Sequence, residues 1–247
     1  MEKNVENSSI PTIFHITHAK CGSQWIKKIL TQCFPDKIVQ TEIYSNHFLN
    51  KPIQKGKIYP ALFVNKQQFY SVKLPSNYKK FIIIRDLRDT LISLYFSLKI
   101  SHPILYPSMK VTREHLKSLS ENEGLKFMIN SNKLERIIEI QISWVNSDDT
   151  IIKYEDLLTN DTQILKKIII SDFQLPISGK KLHEIIIENK FKNVTGREPG
   201  IEDILQHNRK GIKGDWKNYF TPEIKELFKQ KYGEHLIKAG YEDNLNW

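Results

Sequence analysis

The sequence predicts a single α/β domain, a central and mainly parallel β-sheet flanked by helices. Three observations carry that expectation. Short runs rich in β-branched and aromatic residues alternate with segments of helical periodicity, the wiring of a parallel sheet. The 247 residues, 40% apolar and 26% charged, are one large domain's worth of ordinary globular material. No repeat, low-complexity tract or long linker divides the chain. The domain is expected to run over 12–240, behind a polar N-terminal tail over 1–11.

In chain order, strands are expected at Ile13–Thr17, Ile58–Val64, Gln68–Leu74, Phe81–Ile84 and Thr150–Tyr154, about five in all. A helix is expected over Ser23–Cys33, directly after the first strand. Leu87, Leu91, Leu94 and Leu98 recur at helical spacing, as do Leu134, Ile137, Ile138, Ile142 and Val145. From Glu155 onward the pattern is mostly helical. The exception is the glycine-containing stretch from Asn189 to Gly214, which reads as a long ordered loop, and such loops are usually functional.

Composition narrows the function classes. No apolar run approaches the ~20 residues that span a bilayer, and the polar N-terminus "MEKNVENSSIPT" fits neither a secretory signal nor a transit peptide. The two cysteines, Cys21 and Cys33, are too few for a disulfide framework or a zinc site. A cytoplasmic location is the expectation. The net charge of +9 points to anionic partners, although scattered lysines also suit a solvated surface. A nucleic-acid-binding module is one reading of that charge, yet no recognition-helix, zinc-knuckle or aromatic RNA-binding pattern supports it.

Three segments have the makings of anion sites. In "IFHITHAKCGSQW" (Ile13–Trp25) a strand ends in a small-residue loop that opens a helix. There the backbone N–H groups and helix dipole favour an anion, Gly22 permits close approach, Ser23 can donate, and Lys20 adds full charge. A Walker A loop, G-x-x-x-x-G-K-[ST], is absent, which disfavours a nucleotide-dependent phosphotransferase. In "FIIIRDLRDTLISLYFS" Arg85 stands at a strand's carboxyl end, where open α/β sheets bind ligands, and Ser93 lies two helical turns on. The plain alternative is that Arg85, Asp86, Arg88 and Asp89 pair with one another. In "HNRKGIKGDWKNYF" Arg209, Lys210 and Gly211 can close over an anion; the plain alternative is a basic loop with Asp215 as a helix N-cap. Together the three suggest one ligand bearing two separated anionic groups.

These motifs resemble those of the cytosolic-type sulfotransferases that use 3′-phosphoadenosine 5′-phosphosulfate (PAPS). "THAKCGSQW" at Thr17–Trp25 is similar to the family's T-Y-P-K-S-G-T-T-W, and the family's Arg eight residues before a Ser matches Arg85 and Ser93. "KYEDL" at Lys153–Leu157 is similar to R-Y-E-D-L, and Arg209–Thr221 to the closing R-K-G…G-D-W-K-N-x-F-T. The resemblance implies a P-loop-like sulfotransferase fold, PAPS as donor with PAP as product, and no metal. It implies that Lys20, Cys21, Gly22, Ser23 and Gln24 hold the 5′-phosphosulfate and that Trp25 stacks on the adenine. Arg85 and Ser93 would bind the 3′-phosphate with Arg209, Lys210 and Gly211, and Tyr154 would lie near the adenosine. Lys20 is placed to neutralise the leaving phosphate oxygen.

One departure concerns the general base. The family carries a His in a K-T-H segment some twenty residues before the second-site Arg, whereas this chain reads "IYPALFVNKQQF" there, without His or carboxylate. His102 ranks first as a replacement, then His18, then His47. The acceptor, through a hydroxyl or an amine, is expected to be a small molecule of secondary metabolism or a glycan, including a lipid-linked sugar. Tyr44, His47, Phe48, Tyr59, Phe63, His102 and Tyr106 are candidate pocket residues. "KNYFTPEIKE" resembles the family's short dimer motif, which implies a homodimer; a plain helix start with Thr221 as N-cap and Pro222 in the first turn explains it equally.

Overall fold

The computed structural model describes residues 10–40, 47–145 and 149–247, and among these four strands form one parallel sheet. The strands are β1 (Thr12–Ile16), β2 (Ile58–Leu62), β3 (Tyr78–Ile84) and β4 (Ile151–Lys153), in the spatial order β2-β1-β3-β4. β1 pairs in parallel with both β2 and β3, and β3 with β4. Each carboxyl end therefore lies at one edge, so the loops after β1 and β3 are neighbours.

The side chains of β1 and β3 alternate between two cores, as a strand's period of two requires. Ile13, Phe81 and Ile83 pack against α1 (Ser23–Cys33), α8 (Tyr154–Lys166) and α9 (Gly179–Glu188). Phe14, Ile16, Ile82 and Ile84 pack on the other face against Phe48 of α2 (His47–Asn50), Phe69 of α3 (Lys66–Tyr70) and Trp144 of α7 (Asn132–Val145). A third, purely helical core joins α4 (Leu87–Phe96), α5 (Pro107–Ser118), α6 (Glu121–Ile129) and α11 (Pro222–Lys238). A single π turn, Ser97–Ser101, continues α4 toward His102.

The strand expected over Gln68–Leu74 is instead the end of α3 and the turn after it. Asn65 accepts from the Gln68 backbone N–H while the Gln68 side chain accepts from the Asn65 N–H, a reciprocal cap that fixes a helix start. The long loop after α9 contains one short helix, α10 (Phe191–Thr195). Thr221 caps α11 through the Ile224 N–H, with Pro222 in the first turn. Asp215, the N-cap of the plain alternative, is not one: Gly214 holds that position, and the Asp215 carboxylate binds Arg209, Lys210 and Asn218. Among the described residues, no helix is long and apolar enough to cross a membrane.

Candidate active site

The three anion-binding segments meet at the carboxyl edge of the sheet, and Arg85 joins them. Its guanidinium donates to the Lys20 carbonyl at 2.8 Å and reaches the Ile212 carbonyl at 3.5 Å, and it lies 4.5 Å from the Tyr154 ring. Its Nε is buried without a partner, a donor left over inside the site. Arg85 does not pair with the neighbouring acids. Arg88 does, through Asp86 and Glu242, with its guanidinium between the rings of Trp216 and Trp247.

The loop after β1 opens α1 with its backbone donors free of a side-chain cap. Gly22 caps α1 in the left-handed conformation, φ 71°, and no side chain fills the helix's first-turn donors. A Cβ on Gly22 would lie 2.8 Å from the Tyr154 ring, so glycine is required twice over. Lys20 is also left-handed, φ 69°, a costly state for a side-chain-bearing residue. Burial, then the charges of Arg85 and Arg209, push its ammonium down to about 8. Ser23 is buried and Gln24 exposed at the start of α1. The Cys21 thiol points away, donating to the Ile83 carbonyl at 3.3 Å; what it can offer a ligand is its backbone. Trp25 stands edge-on to Tyr154 with ring centroids 6.4 Å apart, its indole N–H buried and unpartnered.

Ser93 is half-buried on α4. The loop carrying Arg209–Gly211 is drawn onto the same helix by Asp89, which accepts from the Gly214 and Trp216 N–H groups at 2.6 and 2.9 Å. Arg209 lies over Phe96, 4.5 Å from its ring, and pairs with Glu202 and Asp215; Lys210 pairs with Asp215 at 2.6 Å. An anion entering here competes with Asp215 for both cations. Gly211 (φ 66°) presses on Phe191, where a Cβ would come within 2.5 Å of the ring.

The histidines separate clearly. The His102 backbone is held from both sides, its N–H donating to Ser97 O and its carbonyl accepting from Arg113. Its Nδ1 lies 2.8 Å from the Pro103 carbonyl, an acceptor to which Nδ1–H donates, so Nε2 is the ring nitrogen turned to other partners. His18 is buried beneath the β1 loop, with Nε2 2.7 Å from Gln141 Oε1, which removes it as a base for an external acceptor. The His47 side chain and Tyr44 lie outside the described residues. Phe48 and Tyr59 are core residues, not pocket residues, whereas Phe63 and Tyr106 are each 38% exposed.

His207 is a residue that the motifs did not single out. The charge of Lys20, then burial, then His102 push its imidazole down to about 4. Its place two residues before Arg209, inside the matching segment's own loop, was the available signal. Exposed apolar residues flank this cluster in sequence: Ile104, Leu105 and Tyr106 after His102, and Ile201, Ile204 and Leu205 before His207.

Comparison with known proteins identifies the family and the fold. The family model described as "Sulfotransferase domain" matches residues 11–240. A 3-alpha-hydroxysteroid sulfotransferase of Cavia porcellus is 25% identical over 93% of this chain and 84% of its own length. A flavonol sulfotransferase-like protein of Flaveria bidentis is 27% identical over 68% of this chain and 57% of its own. Among solved structures, a mouse sulfotransferase complexed with PAP superposes with a TM-score of 0.64 at 18% identity, covering 92% of this chain and 84% of that one. A retinol dehydratase with androsterone and PAP superposes at 0.54 and 12% identity, over 91% and 80%. At such identities the superpositions speak for the fold.

Proposed function

The chain belongs to the sulfotransferase domain family, and from that premise we propose that it moves a sulfuryl group from PAPS to a hydroxyl or amine of an acceptor with an apolar body. One observation carries the reading: Arg85 ties the Lys20 loop to the Arg209–Gly211 loop, so two anion-binding surfaces share one edge of the sheet. A ligand with two anionic ends fits that arrangement, and the unpartnered Arg85 Nε and Trp25 N–H and the uncapped start of α1 are donors for it. Lys20, Gly22, Ser23, Gln24 and the Cys21 backbone hold the 5′-phosphosulfate. Arg85, Ser93, Arg209, Lys210 and Gly211 hold the 3′-phosphate, with Trp25 and Tyr154 against the adenosine.

In the transfer, the acceptor oxygen or nitrogen forms a bond to sulfur as the bond from sulfur to the leaving phosphate oxygen breaks. Lys20 neutralises charge growing on that oxygen, the electrostatic help most useful in the transition state. His102 Nε2 takes the acceptor's proton. The exposed apolar side chains near His102 and His207 support an acceptor with apolar surface, and a glycan is the polar alternative. Calorimetric titration without magnesium tests the donor: adenosine 3′,5′-bisphosphate is expected to bind tightly and ATP weakly. Preference for ATP with magnesium would turn the reading toward a phosphotransferase. A screen of hydroxylated apolar compounds and glycans with labelled donor then identifies the acceptor.

A further inference from the structure

Under the β1 loop lies a buried polar cluster whose hydrogen bonds do not all close, Gln141 Nε2 being left without a partner. His18 Nδ1 is 2.9 Å from the Ala19 carbonyl, and His18 Nε2 is 2.7 Å from Gln141 Oε1. The same Oε1 accepts from the Arg85 backbone N–H at 3.1 Å. His18 and Gln141 are each 1% exposed. Both ring nitrogens thus face oxygen acceptors, and a neutral imidazole has one N–H to give.

Turning the Gln141 amide over does not help. Its NH2 would then satisfy Nε2, and Nδ1–H would reach Ala19, but the Arg85 N–H would face another donor. Every neutral arrangement leaves a buried donor or acceptor opposed, at a cost typical of unsatisfied buried groups. The imidazolium alone satisfies the Ala19 carbonyl, Gln141 Oε1 and the Arg85 N–H together, with Gln141 Nε2 left unpartnered in that arrangement.

We propose that His18 is a proton-linked positioning residue: binding of the anionic donor above the loop drives protonation of His18, which fixes the Ala19 carbonyl and the Arg85 N–H and so sets Lys20. This rests on the donor reading given above. The charge that bears on His18 is Arg85, from the end of β3; α7 presents the neutral amide of Gln141. In the ligand-free protein, burial, joined by Arg85, holds His18 below the usual imidazole range, against the pull of its Ala19 and Gln141 contacts. An anion bound beside Arg85 offsets that cation and raises the His18 pKa. Protons are then taken up on binding, and affinity for the donor weakens as pH rises, by up to about tenfold per unit for one linked proton.

Calorimetry of adenosine 3′,5′-bisphosphate at pH 7, in buffers of different ionisation enthalpy, counts the protons. The wild-type protein is expected to take up more than His18→Gln, by up to one proton, and its affinity to fall more steeply between pH 6 and 8. Equal counts and parallel pH profiles would overturn the role of His18 while leaving the donor reading intact. Should His18→Gln not fold, the wild-type His18 resonance serves: its titration midpoint should rise on saturation with the bisphosphate, and an unmoved midpoint is the contrary result. No binding of the bisphosphate to the wild-type protein overturns the donor reading and this inference with it.

Discussion

At Lys20 the backbone is left-handed, and burial, then the charges of Arg85 and Arg209, push the ammonium down to about 8. A cation so crowded is destabilised until an anion arrives, which is a useful property in a group that must meet growing negative charge. Lys20→Ala is expected to lower turnover far more than it weakens bisphosphate binding. The pH dependence follows in sign. Above about pH 8 the free enzyme loses the Lys20 proton, so kcat/KM for the donor should fall along an alkaline limb near that value, and Lys20→Arg should move the limb upward. A profile that is flat to pH 9 contradicts this. His102→Ala should reduce turnover by the ~10²–10⁴ of a lost general base with bisphosphate affinity unchanged. Retained turnover would pass the role to His207, whose imidazole the charges of Lys20 and His102 depress.

At the scale of elements, the helix Ser23–Cys33 and the strand ends that carry Lys20 and Arg85 were legible because local pattern and tertiary role agree there. The aromatic run after Asn65 was misleading. Its composition suits a strand, yet the reciprocal Asn65–Gln68 cap makes a helix. Phe48 and Tyr59 were equally ambiguous, since aromatic residues serve cores and pockets alike; their burial settles the matter. His207 was invisible to motif reasoning because its significance lies in what the folded loop brings near it. That loop depends on Gly211, and Gly211→Ala forces a left-handed alanine against the Phe191 ring. The expected loss is about 1–3 kcal/mol, read as weaker bisphosphate binding and a lower Tm. An unchanged Tm and affinity would show that the loop accommodates the methyl group.

For the whole molecule, one parallel sheet separates two cores and delivers its strand ends to one edge. The sheet also buries His15, stacked on Phe81 at 4.9 Å, with Nδ1 accepting from the Ala61 N–H and Nε2 unpartnered. Burial pushes this imidazole down to about 3. Between pH 6.5 and 3 the unfolded chain therefore holds the extra proton, and stability falls as pH drops through that window. One such proton amounts to about 1.4 kcal/mol per pH unit. Urea unfolding at pH 6.5, 6 and 5.5 should show a shallower decline for His15→Phe than for the wild-type protein; parallel declines would remove His15 from the account.

The central claim is that the two strand ends hold the two anionic ends of one ligand, and Arg85 is the residue on which it turns. The most direct measurement compares adenosine 3′,5′-bisphosphate with adenosine 5′-monophosphate, by calorimetry, in the wild-type protein and in Arg85→Ala. The wild-type protein should prefer the bisphosphate, and the substitution should erase about 1–3 kcal/mol of that preference, the loss of a charge-assisted contact, while affinity for the monophosphate changes less. A preference that survives the substitution intact would place the 3′-phosphate elsewhere and contradict the single-ligand site.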